Sequence, residues 1–180
     1  MKTRMLPAAV LALALVGLPV GSAWAGAESG LGIFFDYVSD SMQDTGSSTS
    51  DDHAAGIGIG LDFQIAIGGI VSINPMAMFS FQPSGVQADT YGHQFLGVEG
   101  RVWFNNAFIG ARTGQYQQHR SGFLGLGGET GSGSGWGVTL GSENDNGTFF
   151  AVLWDEATVD FDTYSTDIKG YKLLIGKRIR

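Results

Sequence analysis

Between His53 and Ile67 the odd positions are apolar and the even positions are small or polar. The even positions carry three glycines followed by Asp62, Gln64 and Ala66. Side chains of a β-strand alternate between two faces, so this segment is a strand with one apolar face. Because its other face has a carboxylate and little bulk, the pattern favours a barrel with a polar interior and a lipid-facing exterior over a soluble sandwich.

The first residues have the pattern of a secretory signal. Lys2 and Arg4 precede an apolar stretch at 5–20, and Ala23-Trp24-Ala25 offers a small-x-small cleavage site. The alternative is a membrane-anchoring helix. However, the stretch contains two prolines and is shorter than the roughly 20 apolar residues that a helical span requires. We therefore expect residues 1–25 to be a cleaved signal peptide.

Composition limits the remaining chain. The full sequence has a formal net charge of −7, and removal of residues 1–25 takes away two basic residues and no acidic one. A nucleic-acid partner is therefore not expected. The chain has no cysteine, which excludes disulfides, thiolate metal sites and covalent haem, and 29 glycines favour an all-β fold. We expect one barrel domain over 26–180 and no cofactor.

Eight strand candidates follow one another, separated by connections that alternate between long and short. A soluble sandwich has no reason to sort its connections in this way, whereas outer-membrane barrels place short turns on the periplasmic side and long loops outside. The expected strands are 30–39, 53–67, 71–81, 93–104, 107–117, 134–142, 148–157 and 167–179. The expected long connections are 40–52, 82–92, 118–133 and 158–166.

The spacing at the short turns tests this arrangement. A two-residue turn between Phe104 and Ala107 and a three-residue turn between Ile67 and Val71 each keep apolar side chains on one face of both strands. A five-residue turn at 143–147 does the same for the next hairpin. The predicted fold is thus an eight-stranded antiparallel up-and-down transmembrane β-barrel.

This pattern resembles the small eight-stranded outer-membrane barrels of Gram-negative bacteria, of the OmpA membrane domain, OmpX and opacity-protein type. Aromatic residues such as Tyr37, Trp103, Phe104 and Trp154 lie near strand ends, where membrane-interface girdles belong. The resemblance implies an integral outer-membrane location. The chain departs from the family at 175–180, which ends without an aromatic residue. A periplasmic lipocalin-like barrel, with apolar side chains inside, is the alternative.

Positions that alternate with the apolar ones should point into the barrel. Three acidic and three basic residues fall on such positions, which predicts a lumen with balanced charge. A selective channel is one interpretation, but eight strands leave room only for side chains, so we expect a plug. Glu99 should lie opposite Arg112, with Arg101 beside them. The expected charge network comprises Asp36, Asp62, Glu99, Arg101, Arg112 and Lys172, accompanied by Gln64 and Asn74.

His119-Arg120-Ser121, with Glu129 further along, contains the residue types of a hydrolase site: base, nucleophile and orienting carboxylate. Outer-membrane lipid A deacylases are eight-stranded barrels with a His-x-Ser motif. Here the motif sits in a glycine-rich loop region after the fifth strand, and we expect an ordinary polar loop and no enzyme. His53 has no second histidine at metal-ligand spacing, nor does His93.

Acidic residues are concentrated in the predicted loops. We expect a solvated acidic rim, with at most weak divalent-cation contact and no defined metal site. The rim residues are Asp44, Asp51, Asp52, Asp155, Glu156, Asp160 and Asp162. The function predicted is a monomeric structural or surface-interaction protein whose partners are outer-membrane lipid and lipopolysaccharide; a lipid-modifying hydrolase and a narrow channel are the alternatives.

Overall fold

A computed structural model describes residues 26–45, 51–83, 90–121 and 128–180, with backbone only for Asp51, Asp52 and Ser121. The predicted signal peptide lies outside the described residues. In the described ranges, no helix is long and apolar enough to cross a membrane.

Eight antiparallel strands form one closed barrel in sequential order, and pairing of the last strand with the first closes it. The predicted fold class is therefore confirmed. The strands are β1 (Gly30–Thr45), β2 (Asp51–Ile67), β3 (Val71–Pro83), β4 (Thr90–Phe104), β5 (Ala107–Ser121), β6 (Gly128–Glu143), β7 (Thr148–Asp160) and β8 (Ser165–Ile179).

The strands extend further than the sequence predicts at the end opposite the short turns. The predicted long connection at 158–166 is wrong, because β7 and β8 are joined by the four residues 161–164. There the Phe161 amide donates to the Tyr164 carbonyl at 2.8 Å. The predicted boundaries lie where apolar alternation stops. Ladder hydrogen bonds join backbone groups, so pairing continues where the outward face becomes polar.

Two of the three short turns have the predicted register: Phe104 pairs with Ala107, and Ile67 pairs with Val71. The five-residue turn expected at 143–147 is wrong, because Glu143 pairs with Phe149 and the connection is the four residues 144–147. This shifts the pairing by two residues and leaves the faces unchanged. Asn105 adopts a φ of 58°, a left-handed conformation that asparagine tolerates better than most residues. Each hairpin therefore presents its apolar positions on one face of the sheet.

The outer face of the barrel carries a continuous apolar band. Large side chains that would be buried in a soluble protein are exposed on every strand; Phe35 is 64% exposed and Leu96 is 69% exposed. Polar and charged side chains lie inside instead. The faces are therefore reversed with respect to a lipocalin-like barrel, in which the interior is apolar.

Aromatic rings and glycines fill much of the interior between the charged groups. A Cβ at Gly60 would lie 2.2 Å from the Phe34 ring, and one at Gly141 would lie 2.4 Å from the Phe108 ring. Gly60 and Gly141 thus leave room for aromatic rings, and Gly58 leaves room for the Asp36 carboxylate, which lies 2.1 Å from the position of a Cβ there. The girdle assignment of Trp103 is also wrong, because its indole is inside and donates to Ser72 at 3.0 Å.

Candidate functional site: the charged barrel interior

The charges nearest the short turns form the lower charge cluster, made of Asp62, Glu99, Arg101, Glu143 and Arg178. The Arg178 guanidinium donates to both oxygens of Asp62, at 2.9 and 3.2 Å, and to Glu143 at 3.0 Å. Arg101 lies 3.1 Å from Asp62 and 2.9 Å from Glu99. Asp62 is therefore shared by two guanidiniums, which are the groups best suited to multiple bonds with carboxylates.

A second group, the upper charge cluster, lies further along the barrel and comprises Asp36, Asp40, His93, Arg112, Asp155 and Lys172. Its centre is Asp155, which is ion-paired with Arg112. Lys172 donates to the two Asp155 oxygens at 3.0 and 2.8 Å, and the Tyr116 hydroxyl donates at 2.6 Å. This carboxylate thus has three donors, and it keeps a cation if either base is removed.

Asp40 has weaker partners than Asp155. It accepts a hydrogen bond from Gln82 at 2.6 Å, and His93 Nδ1 lies 3.3 Å away. The Lys172 ammonium lies 3.9 Å from its other oxygen. Asp40 therefore has one distant ammonium group, whereas Asp155 has two close cations.

Asp36 differs from the other interior carboxylates. It is 3% exposed, and neither oxygen has a hydrogen-bond partner among the described residues. Within the same residues the interior has more acids than bases, so the balance expected from the sequence is wrong. The buried acids are Asp36, Asp40, Asp62, Glu99, Glu143 and Asp155; the buried bases other than histidine are Arg101, Arg112, Lys172 and Arg178.

The structure corrects the predicted partner of Arg112. Glu99 and Arg112 are opposite one another in register, as expected. On its other side Arg112 pairs with Gly137, which in turn pairs with Asp155. Gly137 places no side chain between the two residues, and the Arg112 guanidinium bonds to Asp155. Glu99 is bonded to Arg101 instead.

Two assignments that place carboxylates outside the interior are also corrected. Asp155, expected on the acidic rim, is 2% exposed inside the barrel. Glu143, expected within a turn, ends β6 and pairs with Arg178. Both lie at inward parity, Asp155 two residues after buried Leu153. Extending the alternation beyond the apolar residues would have identified them, together with Asp40.

A third group closes the barrel at the end opposite the short turns. Arg120 donates to both oxygens of Asp44 at 3.1 Å, and Thr166 donates to the same carboxylate at 2.6 Å. Partial burial opposes ionisation of Asp44, but the bonds from Arg120 and Thr166 outweigh it and lower the pKa of this carboxyl. Burial and a bond to Glu129 raise the pKa of Tyr164 to about 12.

Of the candidate hydrolase residues, the described side chains of His119 and Glu129 do not lie together. His119 Nδ1 contacts the Thr130 hydroxyl at 3.0 Å. Glu129 pairs with Arg120 in the strand ladder, so both lie on the face of the sheet opposite His119. The Glu129 carboxylate accepts a hydrogen bond from the Tyr164 hydroxyl at 2.7 Å. The histidine therefore lacks the orienting carboxylate that the triad requires. The side chain of Ser121 lies outside the described residues.

The remaining rim acids have different surroundings. Glu156 forms an exposed pair with Lys169 at 2.8 Å, and Asp160 accepts from Ser165 at 2.5 Å. Asp162 is exposed in the β7–β8 connection. The side chains of Asp51 and Asp52 are not among those described. No group of three or more potential metal ligands occurs in the described ranges.

Comparison with known proteins identifies the fold. No protein-family model matches the chain, and no curated protein matches it. Among solved structures, Ail, the attachment invasion locus protein of Yersinia pestis, in complex with the heparin analogue sucrose octasulfate, is similar with a TM-score of 0.58 at 11% identity, over 84% of this chain and 99% of Ail. Neisserial surface protein A has a TM-score of 0.55 at 12% identity, over 83% of this chain and 98% of that protein. The chain therefore has the eight-stranded fold of these surface barrels.

Proposed function

We propose that this protein is a monomeric, non-enzymatic integral protein of the outer membrane, exported by the signal at 1–25, with a structural or surface-interaction role. The observation that carries the proposal is the distribution of side chains between the two faces of one closed sheet. The exposed face is apolar on all eight strands, whereas ion pairs and aromatic rings lie inside. That distribution is stable in lipid and would aggregate in water.

An aromatic belt supports the membrane position. Outward side chains change from apolar to polar along β6, β7 and β8 just beyond Trp136, Trp154 and Tyr171. The rings of Trp136 and Trp154 contact each other edge to face, with centroids 5.0 Å apart. Tryptophan and tyrosine concentrate at membrane interfaces, so the belt marks the upper boundary of the hydrocarbon.

Surface charge supports a neutral or cationic partner for the outer end. Ail has been solved with the heparin analogue sucrose octasulfate, which is a polyanion. In this chain, the end opposite the short turns exposes Glu129, Asp160 and Asp162, and the formal net charge is −7. A polyanion would be repelled, so we do not extend that ligand to this chain.

Arginine scanning of the outer face tests the membrane position. Ile59→Arg, within the apolar band, should destabilise the reconstituted barrel by about 2–4 kcal/mol. Gln43→Arg should cost at most about 1 kcal/mol, because Gln43 pairs with Asp167, two outward positions beyond Tyr171 of the belt. The free energy of unfolding is measured by urea titration in lipid vesicles. Equal losses for the two variants would contradict the assignment of the apolar band to lipid.

Conductance separates the plug from the narrow channel. In the plugged barrel, Arg178, Arg112 and the interior rings occupy the cross-section, so purified protein in planar bilayers should show no steady conductance. The acid excess of the described interior favours cations if a path exists. A steady cation-selective current that is changed by Asp36→Asn would contradict the plugged lumen and favour a narrow channel.

A further inference from the structure

A groove of about 850 Å³ crosses the outer wall from β2 to β6. Outward residues that are lateral partners in the strand ladders line it in two adjacent rows. The first row is Leu61, Ala77, Leu96 and Gln115; the second is Ile59, Phe79, Gln94, Gln117 and Ser132. The small side chain of Ala77, between two leucines, contributes to the depression.

The groove changes character along its length. On β2 and β3 it lies within the apolar band, where Leu61 and Phe79 are each 47% exposed. On β5 and β6 it lies beyond the aromatic belt, because Gln115 is one outward position past Thr113, which pairs with Trp136. One end of the groove is therefore at the level of acyl chains, and the other is at the level of head groups.

The polar end is uncharged and unsatisfied. Gln94, Gln115 and Gln117 are exposed, and none of their side-chain amides is bonded to another described residue. No Asp, Glu, Lys or Arg lines the groove. Amides donate and accept in equal measure, which suits hydroxyl and amide groups. Phosphate recognition typically uses arginine or lysine.

We propose that this groove is a binding site for a glycolipid, recognised through an uncharged part of its sugar head. An acyl chain lies along Leu61, Ala77 and Leu96, and sugar hydroxyl or amide groups bond to Gln94, Gln115 and Gln117. Trp136, 49% exposed beside the polar end, offers a flat apolar surface to a sugar ring. The site rests on the proposed membrane position, since it requires the apolar band to face lipid.

Native mass spectrometry tests the site in micelles of an uncharged, sugar-free detergent, tetraethylene glycol octyl ether. The probes are diglucosyl diacylglycerol and phosphatidylglycerol with identical acyl chains. The parent barrel should bind the glycolipid at least fivefold more tightly than phosphatidylglycerol. Gln94→Leu with Gln117→Leu should reduce glycolipid affinity about tenfold or more, because each lost amide removes hydrogen bonds.

Gln43→Leu is the matched control, since Gln43 is an exposed outward amide near the end of β1 that does not line the groove. It should leave glycolipid affinity within twofold of the parent. Equal affinity for both probes, or equal loss in the control, would overturn the proposal. Unfolding of each variant is followed by heat-dependent gel migration, and Gln115→Asn serves as a milder second variant. Failure of the barrel to insert into vesicles would refute the membrane position separately, because binding is measured in micelles.

Discussion

The lower and upper charge clusters have similar residue types but differ in how their carboxylates are paired. In the lower cluster, Asp62 is held by two guanidiniums, and Arg178 bridges it to Glu143. In the upper cluster, both bases converge on Asp155, and Asp36 has no hydrogen-bond partner among the described residues. Each cluster has one more buried acid than buried base, histidine aside. In the lower cluster the carboxylates share the two guanidiniums, whereas in the upper cluster Asp36 has no hydrogen-bond partner among the described residues. The contribution of a buried charge to stability therefore depends on which partners remain when it is changed.

The largest effect is expected from Arg178→Met. Its guanidinium is buried and holds two carboxylates. Removal leaves Asp62 with Arg101 alone and Glu143 with only the partly exposed Arg180. The free energy of unfolding in detergent should fall by about 3–5 kcal/mol. Arg180→Met is the control, because Arg180 also pairs with Glu143 but is 28% exposed; it should cost less than about 1 kcal/mol. Similar losses would mean that Arg178 is not the bridge of the lower cluster.

A double-mutant cycle separates the two possible partners of Arg112. Arg112→Met should cost about 2 kcal/mol, less than the change at Arg178, because Lys172 still compensates Asp155. Coupling with Asp155→Leu should be on the order of 1–3 kcal/mol, and coupling with Glu99→Leu should be below about 0.5 kcal/mol. The cycles are measured by urea unfolding in the same detergent. Larger coupling to Glu99 would favour the partner that register alone suggests.

The sequence predicts the fold and the two faces because both follow from alternation with a period of two. A one-residue slip would exchange every lipid-facing side chain, so the turns 68–70 and 105–106 have one acceptable register each. Apolar alternation does not determine where strands end. Beyond the belt, the outward side chains of β7 and β8 are polar while Val159 and Ile168 are buried inside, so the lipid-facing signal ends although backbone pairing continues.

The sequence predicts some of the residues that lie inside the barrel, but it does not predict which of them form ion pairs with one another. Parity places Asp36, Asp62 and Lys172 inside, and the same rule extended toward the strand ends would have added Asp155 and Arg178. Which carboxylate a guanidinium reaches depends on side-chain length and on gaps across the barrel. Arg112 bonds two strands away, where Gly137 places no side chain between, and strand register does not contain that information.

Asp36→Asn tests the unpaired position of the upper cluster. No described hydrogen-bond partner is lost, and one unpaired buried charge is removed, so stability at neutral pH should stay equal or rise by up to about 1 kcal/mol. Asp62→Asn, a matched change in the lower cluster, should destabilise by about 2 kcal/mol or more. Urea midpoints at pH 7 compare the two. A large loss for Asp36→Asn would mean that its carboxylate has a partner such as a bound cation.

The pair of Asp44 and Arg120 should give a smaller, pH-dependent effect. The folded pKa of Asp44 lies below its unfolded value near 4, so its contribution is present above about pH 4 and is lost as pH falls through the folded pKa. Because the pair is partly exposed, the contribution is less than about 1 kcal/mol. Unfolding of the parent and Arg120→Gln is compared at pH 7 and at pH 3. The difference between them should shrink at low pH, and a constant difference would exclude this pair as its source.

The smallest effect is expected for the exposed acids, and it completes the comparison with the interior. Glu156→Gln, Asp160→Asn and Asp162→Asn together should change the free energy of unfolding by about 0.5 kcal/mol or less, because exposed charges contribute little. Adding Asp155→Asn should cost about 2 kcal/mol or more, since that carboxylate is the centre of the upper cluster and its two bases would lose their shared partner.

Urea unfolding and calcium titration are run on both variants. Submillimolar calcium binding that disappears in the triple variant would mean that these acids hold a metal, whereas unchanged weak binding agrees with a solvated rim. A cost that rises only when Asp155 is included would locate the stabilising carboxylates inside the barrel, although the four acids lie within eight positions of one another in the sequence.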